Sequence, residues 1–148
     1  MKSQTLLSIA AAITLVAAAN AQGQTEWEEA IEKSAELLEE EKYEEALTHA
    51  LQVEEIAVEE YGKESDVFAI TAVLIGSIYG MLQNFDLAIQ YYEQAITIFD
   101  EVGWQDYAEI YALSLTNLGG LYVNMGRYEQ AEPLLIKAME IFKQQLGE

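Results

Sequence analysis

From Phe85 the apolar and small residues advance by three and four: Phe85, Ala88, Ile89, Tyr92, Ala95, Ile96, Phe99. This is the stripe of an amphipathic helix with one face toward a core. Tyr128, Ala131, Leu135, Ala138, Met139 and Phe142 repeat it. Each stripe follows another helical one: Ala72, Ile75, Gly76 and Tyr79 before the first, Leu115, Leu118, Gly119 and Tyr122 before the second. No run alternates with period two, so the pattern predicts an all-α chain without a sheet.

The stripes belong to a repeat. The segment Leu118–Tyr122 reads LGGLY, and Ile75–Tyr79, 43 residues earlier, reads IGSIY. Tyr128 and Ala131 correspond to Phe85 and Ala88, and those to Tyr43 and Ala46 another 42 residues back. Gly62, Gly103 and Gly147 close the three units. Gly62 and Gly103 stand where a helix C-terminus favours positive φ, and Ser65 and Asp66 suit the next helix start. The units span approximately 26–62, 66–103 and 106–147, each a helical hairpin. The first helix of each pair offers a small residue, Ser34, Gly76 or Gly119, to Ala46, Ala88 or Ala131 of the second. A glycine inside a helix costs about 1 kcal/mol relative to alanine, and close packing of the hairpin is the expected compensation. Gly120, beside Gly119, points elsewhere.

Residues 1–21 differ in kind. Lys2 precedes an uncharged apolar run from Leu6 to Ala19, and Ala19-Asn20-Ala21 gives an A-x-A cleavage site. This is the layout of a secretory signal peptide, and the run is short of the roughly 20 residues of a spanning helix. The expectation is export to the periplasm or surface of a bacterium, with no membrane insertion after cleavage and a mature domain over 22–148.

Charge and composition narrow the chemistry. The chain has 26 acidic residues against 7 basic ones, a formal net charge of −19, and 16 of the acids fall between Glu26 and Asp66. Such a surface repels phosphate backbones, which argues against nucleic acid. There is no cysteine and one histidine, His49. Disulfides and thiolate chemistry are excluded, and His49 reads as a surface or packing residue. The glutamate runs lack the spaced oxygen ligands of a calcium loop. Gly119-Gly120 lacks the lysine and spacing of a phosphate loop. Neither a metal, a cofactor nor a catalytic centre is expected.

With Leu115, Leu118, Gly119, Tyr122, Gly126, Tyr128, Ala131, Leu135 and Ala138 in place, the chain resembles the tetratricopeptide repeat (TPR) proteins. The second unit fits through Ala72, Ile75, Gly76, Tyr79, Phe85, Ala88, Tyr92 and Ala95, with Gln83 at the turn glycine. The first fits less fully, through Ser34, Leu37, Tyr43, Ala46 and Ala50. The period of 42 to 43 exceeds the common 34 and is similar to the long repeats of kinesin light chains. The resemblance implies an α-solenoid of three hairpins that binds a polypeptide on its concave face. Its register assigns Ile70, Val73, Leu74, Ser77 and Met81 to that face from the second unit, with contact to the neighbouring hairpins as the open alternative for Ile70, Val73 and Leu74, and Leu113, Thr116, Asn117, Gly120, Val123 and Asn124 from the third. Asn117 matches a family asparagine that holds a peptide backbone. None of these positions is basic, so the expected ligand is an apolar, neutral or basic peptide. Two alternatives stay open: the repeats are the front of a larger effector, such as a caspase-like peptidase, or they form a scaffold that self-associates through the uncapped C-terminal end.

Overall fold

The computed structural model describes residues 25–147; the expected signal peptide lies outside them. The described residues form six α-helices and one 3-10 turn, without a strand: α1 (Glu26–Glu39), α2 (Tyr43–Glu60), α3 (Asp66–Met81), α4 (Phe85–Val102), the 3-10 turn Gln105–Tyr107, α5 (Ala108–Asn124) and α6 (Tyr128–Gln145). Consecutive helices pair as α1–α2, α3–α4 and α5–α6, and the pairs join through α2 against α3 and α4 against α5. This is a stack of helical hairpins, in which each unit buries its apolar stripe only by covering its neighbour.

Local chemistry sets the helix ends. The Thr25 hydroxyl accepts from the Glu28 amide at 3.2 Å, and the Glu28 carboxylate accepts from the Thr25 amide at 2.8 Å. This capping box satisfies two amides that the first turn leaves without a partner. The Ser65 hydroxyl accepts from the Phe68 amide and caps α3. Gly62 and Gly103 take φ of 92° and 95° as the chain leaves α2 and α4. The turns inside the hairpins make the same demand with different residues. Gly126 has φ 73°, but Gln83 and Glu41, at the equivalent positions, have φ 63° and 61°, a region that costs a residue with a Cβ about 1 kcal/mol or more.

Inside the hairpins the glycines meet their predicted partners. A Cβ on Gly76 would lie 3.2 Å from two ring carbons of Tyr92 and 3.3 Å from the Ala88 carbonyl oxygen. A Cβ on Gly119 would lie 2.7 Å from Leu135 Cδ2 and 3.6 Å from the Ala131 carbonyl oxygen. Crowding by the second helix, from the Tyr92 ring and the Ala88 carbonyl at Gly76 and from the Leu135 side chain at Gly119, explains why these two helices accept glycine. Ser34, the small residue of the first hairpin, is fully buried and bonds the Ala30 carbonyl within its own helix.

The core is continuous and centred on α3, where every residue from Phe68 to Ile78 is buried. A helix apolar on all sides belongs in an interior. α3 packs on α2 and α4 and touches α1 and α5. Trp27 of α1 reaches it by donating its indole N–H to the Thr71 hydroxyl at 2.8 Å.

Candidate ligand groove

The central place of α3 decides which of the expected inner residues a ligand can touch. Ile70, Val73, Leu74 and Ser77 are buried, and Leu113 of α5 is buried as well. The expected accessible lining is corrected here: these five residues are core, because neighbouring helices close over α3 from several sides. Met81, Thr116, Asn117 and Gly120 are half-buried, and Val123 and Asn124 are exposed. The surface that remains follows one stripe of α5, with spacing 116/117, 120 and 123/124, and Met81 is its accessible residue from α3.

Gly120 gives the stripe a low floor. Nothing lies within 4 Å of where its Cβ would stand, in contrast to Gly119 next to it. Half-buried Thr116 donates its hydroxyl to the Ala112 carbonyl at 2.9 Å, and its oxygen can still accept. Asn117 sits at the seam between three helices. The Ser77 hydroxyl of α3 is 2.9 Å from the Tyr92 hydroxyl of α4. Burial pushes the Tyr92 phenol up to about 12, and hydrogen bonding from Ser77 and Asn117 pulls against it. An amide has two donor hydrogens and two acceptor lone pairs, so Asn117, beside the Tyr92 hydroxyl, has capacity left for a ligand backbone.

The helix that carries the stripe is tied at several points. Tyr122 donates its hydroxyl to Glu93 of α4 at 2.6 Å, and burial, reinforced by Glu93, pushes its phenol up to about 12. Tyr111 donates its hydroxyl to Asp100 of α4. Lys137 of α6 sits 5.0 Å from the centre of the Tyr111 ring and 3.3 Å from Asp100. Tyr107 donates to Asp66 at the start of α3, and Tyr91 of α4 donates to Glu54 of α2 at 3.0 Å. Burial raises Tyr107 and Tyr91 above the usual phenol value, with the facing carboxylates adding to the rise. The apolar stripes announce none of these ties. One signal was available: with so few cations, most carboxylates that bond across a junction must use a neutral donor, and tyrosine is the long one.

A second concavity, about 500 Å³, is lined by Lys63, Phe68, Gln90, Gln94, Thr97 and Glu101, among others, and shares no residue with the inner stripe. Among the described residues no group of three His, Cys, Asp or Glu side chains could hold a metal ion. No described helix is long and apolar enough to cross a membrane.

Stacked hairpins with small residues at each crossing and an open stripe on a first helix define a repeat protein of the α-solenoid class. Residues 35–101 and residues 112–148 match two family models, both described as tetratricopeptide repeat. The chain belongs to the tetratricopeptide repeat family. No curated protein matches it. Repeats of this family suggest a protein–protein interaction module and are generally non-catalytic scaffolds.

Proposed function

We propose that this chain is an exported, non-catalytic module that holds an extended polypeptide along the first helix of its third hairpin. The observation that carries the reading is an accessible amide next to an open floor. Asn117 lies half-buried beside Tyr92, and Gly120, one turn on, leaves space for a backbone. An extended chain needs both, because its own amides must find donors and acceptors as they leave water. Met81, Val123 and the Thr116 methyl supply apolar contact around that polar centre.

The ligand class follows from charge. The net charge of −19 draws cationic segments from a distance and repels acidic ones. A neutral to basic peptide with apolar side chains fits best, with an encounter rate that falls as salt rises. Export to a bacterial periplasm or cell surface is part of the proposal and rests on Lys2, the run from Leu6 to Ala19 and the A-x-A site.

The test starts with peptides selected against the mature chain from a displayed random library. The selected peptide is titrated against wild type, Asn117→Ala and Gly120→Leu. Both variants should bind at least tenfold more weakly with unchanged helical signal, and Gly120→Leu should melt no lower than wild type, since it removes a helix glycine into open space. Equal affinity for all three proteins would remove the stripe from consideration as the binding surface.

A further inference from the structure

The last described helix, α6, turns an unusual face to solvent. Glu129, Glu132, Ile136, Met139, Lys143 and Leu146 are all exposed and follow each other at intervals of three, four, three, four and three. This is the spacing of a seam that receives another helix side by side. Ile136 is 44 % exposed, Met139 51 % and Leu146 75 %. The same register already receives a helix elsewhere in the molecule. On α4 it falls at Glu93, Ile96 and Asp100, and Tyr122 and Tyr111 of α5 bond Glu93 and Asp100 there.

What distinguishes α6 is the order of charges along the seam. Acids stand at its start, apolar residues in the middle and a lysine near its end. Turned end over end, the seam is complementary to itself. A two-fold axis between Lys137 and Ala138 would bring Ile136 of one copy to Met139 of the other. The same axis brings Glu132 to Lys143 twice and Leu146 to Glu129, next to Tyr128, which is 66 % exposed. The α4 seam could not do this, since Asp86 and Asp100 put acids at both ends. α6 is also where a second strongly acidic molecule meets least repulsion: between Arg127 and Leu146 three basic residues balance three acidic ones.

We propose that α6 pairs antiparallel with α6 of a second copy of this chain, in an isologous contact centred on Ile136 and Met139. A two-fold contact uses the same patch on both partners, so each complementary pair occurs twice. One helix from each copy makes a small interface, so the association is weak and concentration-dependent.

Sedimentation equilibrium on the mature chain, from about 5 µM to about 1 mM to cover a weak contact, should show a monomer–dimer equilibrium. Glu132→Lys and Lys143→Glu each set like charges against each other twice and should weaken it at least tenfold. All the substituted sites are exposed, and circular dichroism checks that both variants keep their helices. Mixed in equal amounts, the two variants should pair with each other, because each then supplies the opposite charge. The double variant Glu132→Lys/Lys143→Glu should pair with itself like wild type. A wild type that stays monomeric throughout, as expected if some other helix covers this seam, would overturn the proposal. So would single variants that dimerise normally, or a mixture that shows no recovery. None of these outcomes depends on the inner stripe of α5.

Discussion

The second and third hairpins carry the same motif at the same register and present different surfaces. IGSIY on α3 and LGGLY on α5 each place a glycine against the second helix of their pair, yet α3 is buried from Phe68 to Ile78 and α5 keeps an open stripe at Thr116, Asn117 and Gly120. Their second helices diverge likewise. Phe99 of α4 is fully buried under the next hairpin, packed on Tyr107 and edge-on to Tyr111, while its counterpart Phe142 of α6 is only half-buried. A repeat therefore fixes how a hairpin closes on itself, and its place in the stack fixes which faces remain free.

The largest effect expected from that difference is in the two phenylalanines. Phe99→Ala should cost about 3–5 kcal/mol, the range for a fully buried aromatic. Phe142→Ala should cost less than half as much. Urea denaturation of both variants measures the gap, and equal losses would mean that α6 is as enclosed as α4.

The glycines give a smaller contrast. Gly119→Ala forces Leu135 aside and should cost about 1–2 kcal/mol, as overpacking outweighs the gain in helix propensity. Gly76→Ala meets Tyr92 at a longer distance and should fall near neutral. Combining Gly119→Ala with Leu135→Ala should destabilise by less than the two changes added together, because the second makes room for the first. Strict additivity would show that Leu135 is not what excludes the methyl group.

The hairpin turns sharpen the comparison at about 1 kcal/mol. Gln83 and Gly126 hold the same left-handed position in the two units. Gln83→Gly should raise stability by about that amount and Gly126→Gln should lower it by a similar amount. Thermal melts of the two variants, moving in opposite directions, are the check.

The smallest effect at neutral pH belongs to the tyrosines and emerges only in alkali. Tyr92 and Tyr122 are raised in the folded chain to about 12 from the ordinary phenol value of about 10. Below pH 10 both folded and unfolded chains hold these protons, so the contribution is fully present. Between pH 10 and 12 the unfolded chain releases protons that the folded one keeps, and stability falls. Melting temperature against pH should bend downward above pH 10. Tyr122→Phe should make that bend shallower, and an unchanged bend would show that Tyr122 ionises as freely as in an unfolded chain.

The sequence by itself determined the hairpins, because their causes are local. Apolar stripes of period 3.6, the Ser65 cap, glycines at Gly62 and Gly103, and a small residue facing an alanine act within a few turns of chain, and a repeat shows each of them more than once. Of the residues that the family register assigned to the inner face, Asn117, Gly120 and Asn124 keep accessible surface. Ile70, Val73, Ser77 and Leu113 were not legible as core, because a residue on a first helix looks the same whether a neighbouring hairpin covers it or water does. Only the tertiary structure decided that, together with the bonds from Tyr91, Tyr107 and Tyr122 to carboxylates 29 to 41 residues away. Burial and long-range hydrogen bonds depend on where whole elements come to rest, and a pattern of nearest neighbours along the chain carries no record of it.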